Sequence, residues 1–474
     1  MRRSKSHALP QKVRFAWLGA LPWVTCAATS IAASGESIDP PATNSIPTSP
    51  NGTPATVQPS TVPPAVETWN WHVQNTDIVD YQPRFPAQYS GPNSLLNANE
   101  ARETVSLDIM GGFRLWQGAE IHLDGLMWQG YGLSKTLGIE AFPSAEAYRY
   151  GVTIPNVNIP RAFIRETIGF GGEQETVEGD GLHLAGQQDA SRLTITMGKM
   201  SVHDIFDINT YANDPRTQFL NWGLVANVAW DYPADSIGYI TGLALELNEP
   251  GWALRYGFFQ VPRESNGLAV DQRYLNDWGM VVEAERRWTI GERPGAIRLL
   301  TYLNRAHMGS YAETINNPSL DMNIDATAAD RLKFGFGLNM EQEIFKNVGA
   351  FARLGWSDGR EQAWAYTDVD QSASAGLSVN GNLWRRPKDT FGIAGIVSGL
   401  SKVHQQFLED GGEGILAGDG ALSYGLEQVM EVYYDFEIYK TLHGAIDYQY
   451  IANPAFNEAR GPVSVIGGRL HWEF

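Results

Sequence analysis

Cysteine is almost absent from this 474-residue chain: the only one, Cys26, has no partner for an intrachain disulfide. It lies within the first apolar stretch, where Trp23 and Thr25 are poor residues to precede a lipid-modified cysteine. Basic residues are scarce as well. Lys and Arg number 35 against 53 Asp and Glu, a formal net charge of −18. Such an acidic chain is not built for nucleic acid or for polybasic attachment to anionic lipid. Long apolar runs are missing beyond the N-terminus, and mean hydropathy is −0.26, which excludes a bundle of membrane-spanning helices. A transmembrane β-barrel is not excluded, because only alternate residues of its strands face lipid. Catalytic signatures are missing too: no Gly-x-Ser-x-Gly, no His-Glu-x-x-His and no phosphate-binding glycine loop. The histidines stand singly along the chain. Asp321, Asn323 and Asp325 are spaced like the start of a calcium loop, but Ala326 replaces the required glycine and Leu332 the bidentate acid. No enzyme activity, cofactor or metal is expected.

What is present begins with Arg2, Arg3, Lys5, Lys12 and Arg14, then an apolar run from Phe15 to about Ala28, then small residues. That order reads as a secretory signal peptide over residues 1–34, cut near Ala32 to Ser34. Residues 35–68 are rich in Pro, Thr and Ser and read as a flexible linker. Segment 69–103 sets Trp71, Tyr81, Phe85 and Tyr89 among Pro83, Pro86 and Pro92, and reads as an irregular lead-in at the periplasmic mouth. Residues 69–474 as a whole form one domain.

From Thr104 onward the pattern is alternation at period two. Leu332, Phe334, Phe336, Leu338 and Met340 share one face of a strand; Lys333, Gly335, Gly337 and Asn339 share the other. Candidate strands lie near 104–115, 119–128, 160–169, 191–200, 222–232, 236–247, 251–260, 276–288, 295–305, 331–341, 347–356, 374–384, 390–401, 427–438, 441–451 and 462–474. Their number and length predict an all-β, antiparallel transmembrane barrel of about 16 strands. Joints such as 116–119 and 248–251 are turn-sized, whereas 129–159, 201–221, 306–330 and 402–426 are loops. The final strand ends on Phe474, an aromatic, and is expected to pair with the first strand and to address the barrel-assembly machinery. A Gram-negative-type outer membrane is the expected location, with outer-membrane lipid as a partner. A barrel this wide encloses water, so passive diffusion is its default work.

Segment 198–235 carries Lys199, Asp204, Asp207, Asp214, Arg216, Asp231 and Asp235 among Phe206, Tyr211, Phe219, Trp222, Trp230 and Tyr232. Carboxylates and guanidinium groups bind sugar hydroxyls, and aromatic rings cover sugar C–H faces. The same residues also suit an inward loop braced by its own ion pairs.

The run Lys199-Met-Ser-Val-His-Asp204-Ile-Phe-Asp207, with Tyr211-Ala-Asn-Asp-Pro-Arg-Thr217, Phe219-Leu-Asn-Trp222 and Trp230-Asp-Tyr232, resembles the OprB family of carbohydrate-selective porins. So do Asn93-Ser-Leu95, Arg114-Leu-Trp116, Gly132-Leu-Ser134, Arg161-Ala-Phe163, Gly169-Phe-Gly-Gly-Glu173 and Ser191-Arg192. The resemblance runs in order from about residue 70 to the C-terminus and thins after Tyr311. It implies a 16-stranded barrel narrowed by loops, lined by arginine and glutamate, and passing glucose-like sugars. The constriction residues it implies are Arg114, Glu120, Arg165, Lys199, Asp204, Asp207, Asp214 and Arg216, beside the aromatic Trp222 and Trp230. The 35–68 linker departs from the compact members. Two alternatives stay open at this level: a porin without sugar preference, and a plugged structural or adhesive barrel. Monomer and homo-oligomer are equally compatible with the sequence.

Overall fold

The computed structural model describes residues 66–147, 151–365 and 367–474. The signal-peptide reading and nearly all of the linker reading lie outside the described residues. Among the described residues eighteen strands follow in chain order. They are β1 (Trp69–Gln82), β2 (Glu100–Trp116), β3 (Ala119–Gly130), β4 (Val152–Gly169), β5 (Gln174–Val177), β6 (Gly186–Asp189), β7 (Arg192–Met200), β8 (Ile240–Glu249) and β9 (Trp252–Phe259). Then come β10 (Trp278–Ile290), β11 (Arg293–Met308), β12 (Ala329–Phe345), β13 (Val348–Ser357), β14 (Gln371–Asn380), β15 (Thr390–Gly399), β16 (Glu427–Tyr439), β17 (Leu442–Ala452) and β18 (Val463–Glu473). Sixteen of them close into one antiparallel barrel; β5 and β6 form a separate two-stranded hairpin.

Closure is made by β1 against β18, in register from Gln74↔Glu473 to Tyr81↔Ile466. Beyond it, Phe474 and Val73 exchange both backbone hydrogen bonds, at 2.8 and 2.9 Å. The Phe474 ring lies 5.3 Å from Trp71, among exposed aromatics of the short-turn rim such as Trp69 and Trp116.

The barrel is inside out relative to a soluble sandwich. On β12, Leu332, Phe334 and Phe336 are 40–52% exposed on the outer face, whereas Lys333 and Asn339 are buried in the lumen. A bilayer solvates the outer set, and polar partners satisfy the inner set. Long loops gather at one end and two-residue turns such as 117–118, 250–251, 291–292 and 440–441 at the other, which places that other end on the periplasmic side.

Two sequence readings are corrected. Segment 69–82 is a barrel strand, not an irregular lead-in; its prolines belong to the loop that follows it. Segment 222–232 is not a strand. It holds a four-residue helix, Trp222–Val225, and lies in the loop joining β7 to β8. The two errors offset one another in the count of sixteen.

Candidate functional site

The β7–β8 connection, residues 201–239, folds into the lumen rather than over the rim, and local sequence shapes its course. Ser201 and Asp204 form a reciprocal capping box around the short turn Val202–Asp204. Asp207 turns the chain with φ 57°. Asn221 caps the Trp222–Val225 helix by accepting from the Gly223 amide at 2.9 Å.

Wall carboxylates hold this loop by its backbone. Glu283 accepts from the Asp207 amide at 2.8 Å, and Glu341 from the Thr210 amide at 2.7 Å. Glu431 accepts from both Leu220 and Asn221, at 2.7 and 2.9 Å. Arg353, 1% exposed, donates to Asp207 and to the carbonyls of Leu224 and Ala212. Buried charges on the wall thereby become fixed points for a loop that would otherwise sample the lumen.

Between this loop, the β3–β4 connection and strands β1, β2 and β4 lies a cavity of about 180 Å³. Two guanidinium groups border it. Arg161 on β4 forks onto Asp204 at 2.8 and 2.7 Å, reaches Asp124 at 3.0 Å, and sits 5.0 Å over the Tyr239 ring. Arg216 of the inward loop bonds Glu146 at 3.0 Å and Asp108 at 2.5 Å. Burial opposes the Arg216 charge, but the carboxylates of Asp108 and Glu146 more than offset it, and its pKa is held well above the ordinary value.

Aromatic rings complete the lining. Phe142 and Trp222 stack at 5.7 Å with planes 7° apart. His203 meets Tyr232 at 4.7 Å and Trp230 at 5.3 Å, both edge-on. Burial pushes the His203 imidazole down to about 4, so it is neutral at ordinary pH.

A second inward element comes from the short-turn end. The β4–β7 connection carries the β5–β6 hairpin, and between those strands Asp180, Gly181 and Leu182 turn into the cavity. Arg165 fastens it by donating to the Leu182 carbonyl at 2.6 Å while paired with Glu120 at 2.9 Å. Glu67, just ahead of β1, exchanges hydrogen bonds with Ala185.

The ten candidate residues from the sequence therefore separate by position. Asp204, Asp214, Arg216 and Trp222 line the cavity. Arg114, Glu120 and Arg165 lie lower on the wall, where Arg114 donates to the carbonyls of Glu67 and Ala185. Lys199 pairs with Asp235 at 3.4 Å near the end of the loop. Asp207 and Trp230, 3% and 1% exposed, are buried supports and do not line the cavity. Sequence reasoning missed Arg161, Glu146, Phe142 and Tyr239 in the lining, and Asp108 and Asp124 behind it. No motif singles out Asp108 on β2 or Asp124 on β3; Arg161 stands in a motif notable for its resemblance alone.

A model of the carbohydrate-selective porin family OprB matches residues 92–474. The comparison with curated proteins returns no match. Among solved structures, Pseudomonas putida OprB at high pH is similar with TM-score 0.66 and 18% identity, covering 86% of this chain and 94% of that chain. Pseudomonas aeruginosa OccK2 (OpdF) has TM-score 0.43 and 10% identity, over 86% of this chain and 98% of that one. The outer membrane channel DcaP of Acinetobacter baumannii has TM-score 0.45 and 7% identity, over 86% and 97%. The likeness to the Pseudomonas putida protein shows a shared fold, and the family match over most of the chain decides the rest: the chain belongs to the carbohydrate-selective porin family OprB.

Proposed function

We propose that this outer-membrane porin passes small carbohydrates through the cavity between the β7–β8 loop, the β3–β4 connection and strands β1, β2 and β4, with the two arginine clusters and the stacked aromatics as the sugar contacts. The observation that carries this is the joint lining: fixed carboxylates and guanidinium groups beside the Phe142–Trp222 stack. Ion-paired Arg161 and Arg216 and the carboxylates of Glu146, Asp204 and Asp214 offer donors and acceptors in place of a sugar's hydration shell. Ring faces of Trp222 and Phe142 suit the apolar C–H face of a pyranose. None of these contacts is covalent and exit stays fast, as a channel requires. Nothing in this arrangement calls for chemistry on the solute.

The basic, apolar and small residues of 1–34 support export by a cleaved signal peptide. The exposed apolar belt supports lipid contact, and the β18 strand ending at Phe474 supports recognition during barrel assembly. Proteoliposome swelling tests the sugar path. Glucose should enter vesicles bearing the natural protein and enter more slowly with Trp222→Ala, which removes a ring from the lining. Equal glucose rates in both, with both barrels assembled, would remove the aromatic stack from the path.

A further inference from the structure

The charge along this passage is more one-sided than a sugar path requires. Two arginines, Arg161 and Arg216, face it together with five carboxylates: Glu146, Asp180, Asp204, Asp214 and Glu473. The charge of each arginine is already balanced by two carboxylates. Arg161 is engaged by Asp204 and Asp124, and Arg216 by Asp108 and Glu146. Asp108 and Asp124 stand behind them, 0% and 1% exposed, and Oδ1 of each accepts no hydrogen bond. The remaining basic side chain of the lining, His203, is neutral.

Three of the lining carboxylates, Asp180, Asp214 and Glu473, have no lysine or arginine partner among the described residues' ion pairs; Asp180 and Glu473 meet only a histidine. Asp214 accepts from the Arg216 amide and the Thr217 hydroxyl. Asp180 accepts from the Leu182 amide and shares a hydrogen bond with the His183 ring. Amides and hydroxyls orient a carboxylate but leave its charge standing. In a narrow passage with low-dielectric walls that charge is focused on the solute.

We propose that the passage sorts carbohydrates by charge: neutral sugars and cationic amino sugars pass, while uronic acids and sugar phosphates are turned back. The proposal rests on the sugar-path reading for its solutes but not for its sign. An anionic sugar would shed water against carboxylates and meet guanidinium groups whose charge carboxylates already balance. An ammonium group on the sugar would meet Asp180 and Asp214 with attraction.

The test uses the full chain in two settings. In a planar bilayer under a potassium chloride gradient, the reversal potential should show a preference for cations. In proteoliposomes, uptake of labelled glucuronate should run about tenfold slower than that of glucose at low ionic strength, with glucosamine at least as fast as glucose. The gap should narrow at about 1 M salt, where the screening length falls to about 3 Å. Asp180→Asn with Asp214→Asn should move the reversal potential toward zero and raise glucuronate uptake. An anion preference, or equal glucuronate and glucose rates at low salt, overturns the proposal. A conducting barrel that excludes glucose overturns the sugar path instead, and the reversal potential of the natural protein still decides the charge sorting, whether or not the double variant assembles.

Discussion

At the scale of single residues, the side chains that resemble solute contacts in the sequence divide into those that line the cavity and those that hold the lining in place. Asp207 belongs to the second group. Its carboxylate and carbonyl serve Arg353, Asn339 and the Asn227 amide, all buried. Asp207→Ala would strand the Arg353 guanidinium inside the barrel, a loss of about 3–5 kcal/mol. The temperature at which the folded band converts to the unfolded band on a gel should fall, and an unchanged conversion temperature would refute this role. His203 supplies a pH dependence. Its folded pKa, pushed by burial to about 4, lies below the unfolded value, so the unfolded form takes the proton first as pH falls. Stability from this site is complete above about pH 6.5, is lost progressively toward pH 4, and changes no further below that. The conversion temperature should decline across that window and decline less with His203→Phe, which keeps a ring among Trp222, Trp230 and Tyr232.

At the scale of elements, the decisive unit is the inward loop with its wall anchors. Glu431 accepts from two successive amides of that loop, beside the hold of Gln449 on the Asn221 side chain. Glu431→Ala should release the Leu220–Asn221 corner, raising open-channel current and its noise while weakening sugar block. Single-channel recording at fixed salt checks this, and a quiet channel of natural conductance would contradict it. The same loop shows where sequence reading loses its grip. Alternation works for β12 or β16 because one face meets lipid and the other meets charge. Residues 223–232 are all buried, so their apolar run carries no period to separate strand from loop. β1 failed for a different reason. Its outward Trp69, Trp71, Val79 and Tyr81 alternate with inward Ile78, Asp80 and Gln82, but the prolines at 83, 86 and 92 follow so closely that the stretch has the composition of a loop. In the site, Asp204, Asp214, Arg216 and Trp222 were legible because one short stretch carries them. Their partners Arg161, Glu146 and Asp108 lie 43 to 108 positions away along the chain, Asp124 joins through Arg161, and only the folded register brings them together.

At the scale of the whole molecule, two features account for the architecture: a seam that closes the cylinder and an acidic excess spent largely inside it. The seam is β1 against β18, and removing residues 463–474 would leave both β1 and β17 with open edges. Such a chain should show no heat-dependent shift on a gel, because no closed barrel forms; a persisting shift would refute the seam. The acids explain the formal charge of −18 without a basic partner. Glu283, Glu341, Glu427 and Glu431 each hold backbone amides of inward segments, so a large share of the negative charge is structural. What remains exposed along the cavity is a small, ordered set beside the aromatic stack. The most direct measurement of the account is single-channel current through the purified protein in a planar bilayer as glucose is added. The current should fall with glucose concentration in a saturable way, and less steeply with Trp222→Ala. A current that glucose leaves unchanged, in a channel otherwise open to ions, would contradict it.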